Sequence, residues 1–197
     1  MTAVPKSRYL LFFAIVAVGF AADLATKSWA FRELSMPGPG AGIIWILNGV
    51  LSLETSLNEG ALFGIGQGGS HLFAALSVIA ACGIIIWLFW AGAAADRWLT
   101  VALASVTAGI AGNLYDRLGM PALKWTFPPQ RVGQPVYAVR DWIHFQINGV
   151  IDWPIFNIAD SLLVCGAALL AIHALWLETR EPSKVEPEQA KQQAKPL

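Results

Sequence analysis

Four apolar stretches, each near the length of a membrane crossing, constrain this chain more than any other feature. Tyr9 to Phe31 carries two charges, His71 to Trp90 and Trp98 to Leu114 carry none, and Ile155 to Leu177 carries only Asp160. A helix needs roughly 20 apolar residues to cross the hydrocarbon core. Inside lipid, backbone N–H and C=O groups must be satisfied within the segment, so such runs fold as helices. The reading is an α-helical membrane protein with four transmembrane helices, over about 9–31, 71–90, 98–114 and 155–177. Composition agrees: 13% of the 197 residues are charged, against about 25% in a soluble domain. Lys6 and Arg8 ahead of the first run, with Ala21 and Ala22 inside it, have the look of a cleaved signal peptide. Leu24, Ala25, Trp29, Ala30 and Phe31 extend the run to span length, which favours an uncleaved first helix.

Outside the spans the pattern changes. Pro37 to Gly42 breaks any helix, and β-prone residues follow on both sides of Asn48-Gly49, the strongest short hairpin signal. The expectation is a small sheet at the membrane surface, over about 43–66 and including Gly60 and Gly64. The third run is rich in Ala, Gly and Ser, which lets helix backbones approach closely in lipid. Leu118 to Ala138 reads as a Pro- and aromatic-rich loop, and the charged, Pro/Gln-rich 178–197 as a disordered tail. With no internal repeat and no second domain, 1–177 forms one membrane-embedded unit.

Several function classes drop out. A net charge of zero argues against nucleic acid. Cys82 and Cys165 lie in apolar runs and read as buried thiols, while His71, His144 and His173 are scattered, so no metal is expected. No Gly-rich phosphate loop, Ser/His pair or Ser/Lys pair has a suitable placement, and no cofactor is expected.

The polar residues are less dispersed than chance would leave them. Asp23, Lys27, Asn58, Asn113, Asp116, Arg117, Asp141, Asn157 and Asp160 all fall near one membrane face. Asp23 with Lys27, Asn113 with Asp116 and Arg117, and Asn157 with Asp160 are three or four apart, hence on shared helix faces. Polar groups at that depth need partners, so the third-span cluster points into the bundle. Asp141, in an extended, β-branched and aromatic context, and Asp160 bracket the last span's edge. Two acids at one boundary repel, and repulsion lets one keep a proton at neutral pH while the other ionises, as water activation requires. Read singly, Asp160 is a helix-capping acid and Asp141 a loop acid.

Five segments decide between these readings: Asp23-Leu-Ala-Thr-Lys27, Asn58-Glu-Gly-Ala-Leu-Phe-Gly64, Gly109 to Arg117, Val139-Arg-Asp-Trp142 and Phe156-Asn-Ile-Ala-Asp-Ser161. In this order, around four spans, the chain resembles the lipoprotein signal peptidases (signal peptidase II), bacterial membrane aspartic proteases. The resemblance implies a catalytic Asp141/Asp160 dyad, substrate-binding or supporting roles for Asn58, Gly60, Asn113, Asp116, Arg117 and Asn157, and a structural polar pair in Asp23 and Lys27. It implies as substrate a diacylglyceryl-modified prolipoprotein cut before its lipidated cysteine, with membrane lipids as the other partner. It also implies a bacterial inner-membrane enzyme, monomeric, with both termini cytoplasmic and the site at the outer face. Lys6 and Arg8 before the first span favour the same orientation. Trp142 stands where Phe is common, and the segment between Arg117 and Asp141 is longer than usual. The alternative from another class is a proton- or ion-coupled carrier, which would place its acids near the midplane and show paired halves.

Overall fold

Runs that are apolar all round fold as spans, and the computed structural model, which describes residues 4–60, 66–147 and 150–180, contains four of them. Helix α1 is Lys6–Glu33, α2 is Ser70–Ile85, α3 is Arg97–Arg117 and α4 is Ile158–Arg180. α2 continues through a wider π turn, Ile86–Trp90, which carries the span to Trp90. Gly92, at φ 84°, then turns the chain, and Asp96 caps α3 by accepting from the Leu99 N–H at 3.1 Å. α3 runs three residues beyond the expected Leu114, because Asn113, Asp116 and Arg117 are all buried in the bundle. α4 begins at Ile158 instead of Ile155, because Asn157 caps it.

α3 is the central helix. Half of its apolar window is buried, against 11% for each of the others, and it packs on all three. Small residues make this possible. A Cβ on Gly109 would meet the Ala159 carbonyl oxygen at 2.4 Å, and one on Gly166 the Ala102 carbonyl oxygen at 2.8 Å. The outer helices turn large apolar residues such as Leu10, Val18, Leu72, Ile79 and Ile172 outward, where lipid receives them. Cys82 and Cys165 also lie exposed on the outer surfaces of their helices, which corrects the expectation of thiols buried within the protein. An apolar run in a membrane protein faces lipid as readily as core, so hydropathy alone does not separate the two.

One end of the bundle is covered by a four-stranded antiparallel sheet in the order β1 (Ile43–Leu47), β2 (Leu51–Asn58), β3 (Val139–Ile147), β4 (Ile151–Asp152). The Asn48-Gly49 turn joins β1 to β2, with Gly49 at φ 74°. Two of the four strands, β3 and β4, lie outside the expected sheet region. Val139 to Trp142 are all buried, so β3 lacks the apolar–polar alternation that marks a strand with one wet face. Ser56 and Leu57 of β2 pair with Asp141 and Arg140. Trp142 clamps the sheet to α1, packing with Ala30, Phe31 and Leu34 and meeting Trp29 edge-on at 5.9 Å. The expected sheet reached residue 66; β2 ends at Asn58, and 61–65, like 181–197 of the expected tail, lie outside the described residues.

Candidate active site

The site is assembled where α4 starts. The first N–H groups of a helix have no intrahelical partner, and here they recruit the polar side chains. Asn157 accepts from the Asp160 N–H at 2.9 Å, and Asp160 Oδ2 accepts from the Asn157 N–H at 3.2 Å. This reciprocal cap fixes the Asp160 carboxylate. The Asn157 Nδ2 is left to donate to Asp141 Oδ1 at 2.6 Å and to Asn113 Oδ1 at 3.2 Å. One amide side chain therefore touches both Asp141, on β3, and Asp160, on α4. From α3, Asn113 Nδ2 donates to Asp160 Oδ1 at 2.8 Å, while its Oδ1 accepts from Lys27 Nζ at 3.0 Å.

Asp141 is 2% exposed. Burial, and then the charge of Asp160, push its carboxyl up to about 8, against the opposing hydrogen bonds of Asn157 and Asn58. Around this pair lies a buried ionic network. Lys27, without solvent exposure, contacts Asp23 at 2.7 Å and Asp116 at 3.1 Å. Asp116 takes the Arg140 guanidinium at 2.9 and 2.8 Å and the Arg140 backbone N–H at 3.1 Å. Asp23 accepts from the Ala159 N–H at 2.9 Å, so it secures α4 as well as Lys27. Arg117 Nη2 donates to the Gly60 carbonyl at 2.8 Å, and its buried Nε has no partner among the described residues. Asp23, Asp116, Asp141 and Asp160 face Lys27, Arg117 and Arg140, so the cluster balances in charge when the Asp141/Asp160 pair holds one proton.

Gly112 shows how tightly this is built. A Cβ there would lie 2.4 Å from Asp23 Oδ2 and 3.1 Å from the Ala159 Cβ. Gly112→Ala is expected to displace Asp23 from Lys27 and from the cap of α4, at about 1–3 kcal/mol for an overpacked site. Thermal unfolding in detergent checks it, and an unchanged melting temperature would count against the network's role.

Beside the pair, a groove of about 300 Å³ runs between α2, α3 and α4, with Phe73, Leu76, Ile110 and Leu163 as apolar wall and Arg117 and Asp160 as polar wall. Of the two carboxylates, Asp160 lines this groove, and Asp141 lies buried behind it. Among the described residues no cluster of three His, Cys, Asp or Glu side chains is arranged to hold a metal ion.

All ten residues singled out from the sequence lie at this end of the bundle, with Asp23 and Lys27 inside the network and Asn58 and Gly60 on the sheet side. Sequence reasoning missed Arg140, whose partner Asp116 is 24 residues earlier. The available signal was alternation: neighbours on a strand face opposite ways, so an Asp141 turned to Asn157 sends Arg140 towards α3. It also missed Glu59 and Arg131, and His144, which lies between Glu54 and Asp152 on the sheet.

A family profile described as Signal peptidase (SPase) II matches residues 15–176. A lipoprotein signal peptidase of Rhodopirellula baltica is 47% identical over 172 residues, covering 87% of this chain and 74% of that protein. One from Clostridium novyi is 32% identical over 161 residues, covering 82% of this chain and 95% of that protein. A solved bacterial membrane enzyme superposes with a TM-score of 0.67 at 26% identity, covering 93% of this chain and 96% of its own. The match runs from the first span into the last, with the sheet and the capped start of α4 both inside it, and the chain belongs to the signal peptidase II family.

Proposed function

We propose that this protein is a membrane aspartic endopeptidase that removes the signal peptide from diacylglyceryl-modified prolipoproteins, cutting before the lipidated cysteine. The observation that carries this reading is Asn157, whose side chain donates to the Asp141 carboxylate and whose backbone N–H donates to the Asp160 carboxylate, so that one residue holds both acids beside an apolar groove. Asp141, the more buried, holds the shared proton; Asp160, accepting from Asn113 and the Asn157 N–H, is the ionised member. Because the two titrate as a unit, this describes the dominant arrangement of one proton. Asp160 takes a proton from water as the water oxygen attacks the scissile carbonyl carbon. Asp141 donates its hydrogen bond to the carbonyl oxygen, where charge develops. Collapse of the tetrahedral species breaks the C–N bond, and the proton gathered by Asp160 passes to the leaving amine. The Arg117 Nε–H, which has no partner among the described residues, is assigned to a substrate carbonyl in this reading.

The lipid chains stay in the bilayer beside the spans while the peptide reaches the carboxylates. Lys6 and Arg8 support cytoplasmic termini, a topology in which the pair would lie at the outer face. The test is a cleavage assay with purified protein on one precursor in lipidated and unlipidated form. Release of signal peptide from the lipidated form only is expected; no release, or equal release from both, would overturn the reading.

A further inference from the structure

The loop between α3 and β3 reaches back across the sheet to the end of β2. Arg131 Nη1 and Nη2 grip the two carboxylate oxygens of Glu59 at 2.9 and 2.7 Å, and the Arg131 guanidinium lies over the Trp125 ring at 3.8 Å. This two-pronged, stacked geometry is one that lysine cannot reproduce. Glu59 stands between two residues that frame the candidate pair. On one side, Asn58 Oδ1 accepts from the Gly60 N–H at 2.9 Å, and the Asn58 side chain hydrogen-bonds Asp141. On the other, the Gly60 carbonyl accepts from Arg117 at 2.8 Å. The segment 58–60 is thus held from the bundle by Arg117 and from the loop by Arg131, in addition to the Gln67 side chain, which accepts from the Glu59 N–H and donates to Asn58 Oδ1, both at 3.2 Å, and the pairing of Asn58 with Val139.

We propose that Arg131 is a positioning residue for the reaction: by clamping Glu59 it holds Asn58 on Asp141 and the Gly60 carbonyl on Arg117. The inference rests on the proteolytic reading of the site. The hydrogen bond from Arg131 holds the Glu59 carboxyl below its ordinary range against the effect of burial, so the clamp stays ionised at neutral pH. The two side chains keep 34% and 21% of their surface exposed, and ion pairs that wet contribute little to global stability. The clamp's effect belongs in catalysis.

The experiment measures kcat, KM and the pH profile of the purified full chain on lipidated precursor, with thermal unfolding as the fold control. Arg131→Gln and Glu59→Gln are each expected to lower kcat about tenfold with KM within about twofold, the scale of a slight misplacement at a reacting centre. The double variant is expected to match the singles, since both remove one contact. Arg131→Lys should recover only part of the loss. The readout that a purely structural role would not move is the alkaline limb of kcat/KM. An amide bond to the carboxylate favours its ionised form, so loosening Asn58 shifts that limb to higher pH in both variants, as in Asn58→Ala. Folded Arg131→Gln and Glu59→Gln with wild-type kcat, KM and pH profile overturn the inference while leaving proteolysis intact. A wild-type enzyme that cleaves nothing sinks the proteolytic reading instead.

Discussion

Asp141→Asn and Asp160→Asn are each expected to lower turnover of lipidated precursor at least about 10³-fold, the scale of a lost general acid or base, with the fold retained. In Asp141→Asn the Asn157 Nδ2 can still donate to the side-chain amide oxygen, and the helix cap needs only an acceptor at Asp160. Full activity in either variant removes that residue from the proposed dyad. The pH dependence carries the same assignment. Burial and the neighbouring charge push the Asp141 carboxyl up to about 8, so kcat/KM is expected to fall as the pH rises through that range and the pair loses its shared proton. Stability has the same sign. The ordinary value is 3.8, so between there and about 8 the unfolded chain has released a proton that the folded protein keeps. Stability is therefore highest at the acid end of that window and declines as the pH rises through it. Asp141→Asn carries no such proton. Its melting temperature at neutral pH should exceed that of the wild type and vary less with pH.

Lys27→Met is expected to cost about 3–5 kcal/mol, the usual loss when one partner of a buried ion pair is removed. The ammonium group serves Asp23, Asp116 and the Asn113 carbonyl at once. The losses are unequal. Asp116 keeps the Arg140 fork, whereas Asp23 is left, among the described residues, with the Ala159 N–H against its buried charge. Adding Asp23→Asn to Lys27→Met should therefore recover part of the stability, because the uncompensated charge disappears. Thermal unfolding in detergent decides it. An unchanged melting temperature for Lys27→Met would show that the network contributes nothing.

The spans were legible because each is an apolar run of the length a bilayer demands, and the β1–β2 hairpin because Asn48-Gly49 marks its turn. Residues three and four apart, Asp23 with Lys27 and Asn157 with Asp160, announced contacts that the helices make by their own geometry. What stayed hidden depends on distant pairing. β3 carries Arg140 and Asp141 buried on its two faces, and no local periodicity reveals a strand whose charges are satisfied by α3 and by the start of α4. The Glu59–Arg131 contact spans 72 residues, so in the sequence both members look like solvated loop charges. The orientation of Cys82 and Cys165 was hidden for another reason: lipid and protein core select the same side chains.

The start of α4 has a practical consequence. The amides of Asn157, Ala159 and Asp160 donate to side chains, namely Asp160, Asp23 and Asn157. Deuterium uptake at the Asn157 and Ala159 amides therefore tracks the Asp160 and Asp23 carboxylates individually, and uptake at the Asp160 amide tracks the Asn157 side chain, and not merely helix fraying. An inhibitor that draws Asp160 away would accelerate uptake at Asn157 while sparing Ala159, which answers to Asp23. The pattern separates engagement of the reacting group from loosening of its supporting network, in one spectrum and without a substrate.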